Sequence, residues 1–166
     1  MSQPIGTPSD GYSKILWLPG QSSITDPSAP TVAELTSMLV KDLSLYFTDF
    51  TPNLSEDTAA TPRINTEFTP TRPGRAQRTI TTAYVSNPQL PTHNVAELEL
   101  TEHALGYYIE RVGYPHAQPI QAGDIVNVYF VQLGRQNPSR AANTDWQVMQ
   151  TAFVQAYWRS VEVIGS

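Results

Sequence analysis

Apolar positions along this chain alternate far more often than they recur at helical spacing, and the clearest alternation covers residues 122–134. A Gly123-Asp124 turn launches the run and Gly134 closes it. Ile125, Asn127, Tyr129, Val131 and Leu133 fall on one face; Val126, Val128, Phe130 and Gln132 fall on the other. β-Branched and aromatic side chains dominate, as a pleated and largely buried strand selects. Two mostly apolar faces predict a strand between packed layers. Its predicted partner is residues 151–164, where Phe153, Tyr157, Val161 and Val163 alternate with Val154, Trp158 and Ile164.

The same reading extends along the rest of the chain. Residues 1–12, with two prolines and two glycines among small polar residues, predict a mobile arm. Residues 14–18 form a short apolar strand stopped by Pro19-Gly20. Thr31 and Glu34 stand at capping-box spacing beside Pro30, which predicts a helical turn over 31–38. Residues 41–50 read as a half-buried strand, with Leu43, Leu45 and Phe47 against Asp42, Ser44 and Tyr46. Residues 51–74 contain Pro52, Pro62, Pro70 and Pro73, are rich in threonine and lack apolar periodicity. They predict a long inter-strand loop, a feature that is commonly functional or disordered. A strand over 75–87, a short helix over 92–102 and a strand over 105–112 follow, and 135–146 reads as a polar loop. The expected fold is mainly β: an antiparallel β-sandwich or barrel with one short helix, a long loop and an N-terminal arm.

Composition narrows this picture. A chain of 166 residues fits a single domain over 1–166 with a core of its own. There is no cysteine, so disulfides and thiolate metal sites are excluded. No apolar run approaches the ~20 residues of a membrane span, and the N-terminus lacks the basic start and apolar middle of a signal peptide. These features predict a soluble protein. The net charge of −5 argues against non-specific nucleic-acid binding through a basic surface. Arg63, Arg72, Arg75 and Arg78 nonetheless cluster within sixteen residues, against a lone Glu67. Two lysines beside eight arginines fit a surface that meets other proteins; a GC-rich genome accounts for the same bias, and both readings stay open.

No catalytic constellation emerges. His93 and Glu97, and Glu99 and His103, are spaced four apart as metal ligands can be, but the spacing equally describes a solvated helix flank. His116 has no nucleophile near it in sequence, and no phosphate loop, dinucleotide fingerprint or serine-nucleophile motif occurs. Trp17, Trp146 and Trp158 sit in or beside β runs, where core or interface packing is the ordinary role. The arginine cluster reads as a protein–protein contact in preference to a phosphate site, since only Phe68 is interleaved with it. The chain is expected to be no enzyme and to need no metal or cofactor.

Several stretches, read in order, resemble the tail tube protein (major tail protein) of bacteriophages with long non-contractile tails, in particular those of actinobacterial hosts. They are Ser13-Lys-Ile-Leu-Trp-Leu-Pro19, Ala29-Pro-Thr-Val-Ala-Glu-Leu35, Asp42-Leu-Ser-Leu-Tyr-Phe-Thr48, Arg72-Pro-Gly-Arg75, Tyr84-Val-Ser-Asn-Pro88, Gly106-Tyr-Tyr-Ile-Glu-Arg111 and Ala122-Gly-Asp-Ile-Val-Asn-Val-Tyr129. Their order and spacing carry the resemblance, which covers about residues 13–164. It implies a β-sandwich subunit that closes into hexameric rings, stacked on a tape-measure protein between tail-tip and tail-terminator proteins. It also implies assembly in the host cytoplasm and DNA passing through the bore without specific binding.

On that footing Arg63, Arg72, Arg75 and Arg78 are expected at contacts between rings. Residues 14–18, or Trp17 itself, are expected to dock on a β edge. Asp42, Asp49 and Glu110 are the expected acidic lining of the bore, although the same acids can simply solvate an outer surface. A receptor- or carbohydrate-binding β-sandwich module of a tail tip or decoration protein is the alternative.

Overall fold

The computed structural model describes residues 6, 8, 10–62, 64, 67–140 and 145–165. Seven strands form one antiparallel sheet: β1 (Ser13–Pro19), β2 (Lys41–Asp42), β3 (Phe47–Ala60), β4 (Thr71–Val85), β5 (Leu105–Val112), β6 (Ile125–Ser139) and β7 (Gln147–Glu162). Two short helices, α1 (Val32–Leu35) and α2 (Val95–Glu99), and a 3-10 turn at Pro91–His93 complete the elements.

The strand order β2-β1-β5-β6-β7-β4-β3 puts consecutive strands β2 and β3 at opposite edges of the sheet. Only residues 43–46 join them, and four residues span at most about 14 Å. The sheet therefore has to roll until its edges nearly meet. The Leu43 N–H donates to the Ile15 carbonyl, the Ile15 N–H to Ser44 Oγ, and the Val85 N–H to the Tyr46 carbonyl, so this short segment stitches β1 to the β4 side. Across the roll, Phe50 of β3 stacks edge-on against Tyr108 of β5 at 5.4 Å and Tyr129 of β6 at 6.2 Å.

Alternation builds two cores, one on each face. Inside the roll lie Trp17, Ile80, Tyr84, Tyr108, Tyr129, Val131 and Leu133, with Ala96 and Leu100 plugging them from the α2 segment. On the outer face Leu16, Leu18, Tyr107, Ile109, Val126 and Val128 are covered by Ile24, Leu35, Ile120 and Val163. The expected two-sided burial of 122–134 is thus realised in β6. The predicted capping box also forms: the Glu34 N–H donates to Thr31 Oγ1 at 3.2 Å and the Thr31 N–H to the Glu34 carboxylate at 2.9 Å.

Three expectations need correction. Residues 41–50 are not one strand but β2, a turn and the start of β3, because the chain crosses between sheet edges there. Residues 51–74 are not a loop: most of them belong to β3 and β4, paired from Phe47↔Tyr84 to Ala60↔Thr71. Pro52 lies on the edge strand and Pro73 beside the bulge between Glu56 and Thr58, the places where a sheet accepts proline. The polar loop at 135–146 starts late, since β6 runs to Ser139. The helical turn expected over 31–38 and the short helix expected over 92–102 both form, as α1 and α2. The arm over residues 1–12 lies largely outside the described residues; at its end, Gly11 and Tyr12 accept backbone bonds from His116 and Gly113.

Candidate assembly surfaces

The long excursion becomes a projecting ribbon. β4 pairs with β7 only over Thr79–Val85, whereas it pairs with β3 out to Thr71. Leu54–Ala60 and Thr71–Arg78 therefore stand beyond the sheet as two strands with both outer edges unpaired among the described residues. At 3.3 Å per residue the projection reaches about 20 Å. All its described side chains except Ala59 are exposed, and Ile64 and Phe68 are exposed in the turn beyond it. Gly74 sits at the bulge; a Cβ there would come within 2.8 Å of the Asp57 carbonyl oxygen, so the two strands can cross this closely only with glycine. Two strands alone are marginal in water, and their bare edges are templates for another chain.

The register places the arginines. Arg78 lies opposite Leu54, on the same side as the Pro52–Ile80 pair that continues the inner face. Arg72 lies opposite Ala59 on the other side, and Arg75 falls within the bulge. Among the described residues none of these three reaches a carboxylate at ion-pair distance. Arg63 lies outside the described residues. The cluster seen in sequence is thus a charged ribbon with cations on both sides, not a convergent pocket.

Trp17 is somewhere else entirely. It is fully buried, tilted on Tyr108 at 4.9 Å, and its indole N–H has no hydrogen-bond partner. Residues 14–18 do add as a strand, but between β2 and β5 of the same chain, so Trp17 is core and not an exposed anchor.

The three acids expected to share one lining lie apart, Asp42 and Asp49 on the outer face at opposite sheet edges and Glu110 on the inner side. Asp42 sits at the closure, 3.2 Å from Lys14 Nζ, and accepts both the hydroxyl of Ser44 at 2.6 Å and its N–H at 3.1 Å. Partial burial pushes its carboxyl up, but the bonds from Ser44 and Lys14 outweigh this and hold it below the usual value. Glu110 lies on the inner side and accepts from Tyr129 Oη at 3.1 Å and Asn127 Nδ2 at 3.3 Å. Burial, and then the Glu110 charge, push the Tyr129 phenol up. Asp49, on the outer face of β3 at the opposite sheet edge from Asp42, is exposed and accepts from Thr51 Oγ1 at 2.6 Å.

Two buried polar clusters escaped the sequence reading. Arg111 is wholly buried and pairs with Asp124 at 3.1 Å. Its guanidinium also donates to the carbonyls of Pro115, Gln118 and Pro119, which pins the β5–β6 connection. An arginine inside an apolar alternation was the available signal. Gln136 and Gln150 bridge β6 and β7 to the Leu100 carbonyl, and Gln136 also reaches Tyr84 Oη at 3.1 Å. Arg111, Asp124, Tyr84 and Gln150 are buried and only Gln136 is partly exposed, so these clusters offer no reacting group to solvent. The carboxylates at metal-ligand spacing are engaged elsewhere: Glu97 accepts from Ser86 and Asn94, and Glu99 pairs with Lys41 at 3.3 Å. No group of three or more potential metal ligands occurs among the described residues. What the surface offers is contact.

A family model described as phage tail tube protein matches residues 1–166. Among solved structures, the fold is similar to that of a chain in a cryo-EM structure of the anti-feeding prophage (AFP) baseplate, 6-fold symmetrised. The TM-score is 0.51 and the identity 8%, over 97% of this chain and 98% of the other. No curated protein sequence matches the chain.

Proposed function

The chain belongs to the phage tail tube protein family, a family of structural tail components and not of enzymes, and from that premise we propose that it is the repeating subunit of a tube. In this reading six copies close into a ring, rings stack around a tape-measure protein, and the finished tube conducts the genome. The resemblance in sequence extends the proposal to a long, non-contractile tail of a phage with an actinobacterial host, assembled in the host cytoplasm as a single tail tube domain per copy. The sixfold symmetry of the similar baseplate supports the ring stoichiometry.

The observation that carries the proposal is the projecting ribbon. A two-stranded, fully wetted projection with bare edges gains little within its own subunit, and pairing it with another copy satisfies the edges and removes the aggregation hazard. A contact between a projection on one copy and a different surface on the next is heterologous, the kind that builds rings or filaments. Arg72, Arg75 and Arg78, unpaired among the described residues, would then meet carboxylates of the adjoining ring, where desolvation makes such pairs matter more than at a free surface.

Deleting residues 56–71 tests this. The cut leaves Ser55 and Gln77, which already pair, joined by a short turn through residues 72–76. Sedimentation and negative-stain microscopy should show a folded subunit that forms no tubes. Normal tubes from this variant would overturn the role given to the ribbon.

A further inference from the structure

The outer face of the sheet is covered over β1, β5, the first half of β6 and the second half of β7 by the second core. Over β3, β4, the first half of β7 and the end of β6, no core cluster of the described residues covers it. The register lines this bare area up in rows across the strands: Thr51–Thr81–Thr151, and beside it Asn53–Thr79–Phe153–Gln132. A third row brings Asp49 beside Ala83 and Met149.

Resting on the tube reading, we infer that this bare face is the wall of the bore, and that it lets a polyanion pass because it is uncharged, not because it is acidic. Exposed protein surface is ordinarily about a quarter to a third charged; in these rows Asp49 is the only charged residue, and lysine and glutamate are absent. Arg135, on the β6 bulge at the margin, offsets that one charge. Arg78 is on the other side of β4, and Arg72 is far out on the ribbon.

The face is also a poor packing surface. A sheet that packs on another sheet presents apolar side chains along each strand, whereas here hydroxyls and amides predominate and only Met149 and Phe153 are half-exposed apolar groups. It is therefore a wet surface without the charges that keep outer surfaces soluble and separate. A bore is such a place. Cations repeated around each ring would hold DNA through salt-dependent phosphate contacts, while hydroxyls and amides exchange hydrogen bonds with water on both sides and fix nothing.

The absence of cysteine allows single-site labelling without background. Thr151→Cys places a thiol on the bare face, and Ser22→Cys places one on an exposed turn outside the covered end. Tubes of each are treated with a small biotin-maleimide, then with streptavidin, which is too large to enter the bore. The expected result is biotin in both, with streptavidin along the walls of Ser22→Cys tubes but on Thr151→Cys protein only after tubes are dissociated. Streptavidin along intact Thr151→Cys tubes would put this face outside. Biotinylation of Thr151→Cys subunits but not of their tubes would make it a subunit contact. Either outcome overturns the inference while leaving the tube itself standing. If Thr151→Cys does not polymerise, Gln132→Cys on the neighbouring row gives the same three readings.

Discussion

Asp42 shows how a residue's role changes once the chain has rolled up. In sequence it alternates with apolar neighbours and looks solvated; in the fold it ties Lys14 to the turn at Ser44 where the sheet edges meet. Its carboxyl, like that of the capping Glu34, is held below its ordinary value, 3.8 and 4.5 respectively. A depressed carboxyl stabilises the fold fully above its unfolded value, and that stabilisation is lost as pH falls through the lower folded value. Thermal unfolding followed from neutral pH downward should therefore show Tm falling below about pH 4.5, with a smaller fall in Asp42→Asn. An identical acid limb in both proteins would contradict the closure role. Gly106 makes a sharper demand. A Cβ there would collide with the Leu18 carbonyl oxygen and the Trp17 ring, both held in the core. Gly106→Ala should cost about 1–3 kcal/mol by the ordinary penalty of overpacking, read as a lower urea midpoint; an unchanged midpoint would show that β1 yields. Trp17 was legible as a packing residue but not as core in preference to interface, because one sequence does not say whether a strand adds to its own sheet or to a neighbour's.

Among elements, legibility followed burial. β1, β5, β6 and most of β7 carry the alternation or the apolar run that a packed face imposes, and they were readable. The outer parts of β3 and β4 pack on nothing, so no apolar period marks them, and their prolines suggested a loop. The surviving signal was threonine, which favours extended backbone without revealing burial. The candidate site was obscured for the same reason: Arg72, Arg75 and Arg78 could be grouped by proximity in sequence, but their distribution over both sides of a ribbon depends on register. Independence from the core also sets the expected stability of the deletion variant. Among the described residues, removing 56–71 takes away no buried side chain, so circular dichroism should show a native β spectrum and a Tm close to that of the intact chain. A collapsed spectrum would mean that the ribbon supports the subunit and not only its assembly.

At the scale of the whole molecule, the rolled sheet leaves one subunit with a closed interior, a covered end and two unfinished features: a bare-edged ribbon and a bare, nearly uncharged sheet face. Strand order and alternation suffice to specify the roll, which is consistent with a fold similar to that of the baseplate chain at only 8% identity. Both unfinished features are explained together if copies assemble around a central channel, the ribbon joining neighbours and the bare face turned inward. The most direct measurement is electron microscopy of the purified full-length chain at high concentration, with averaging of end-on and side views. Hollow tubes of stacked sixfold rings are the predicted result. A monodisperse monomer at every concentration, particularly one that binds cell-wall glycan, would contradict it and point to a receptor-binding module.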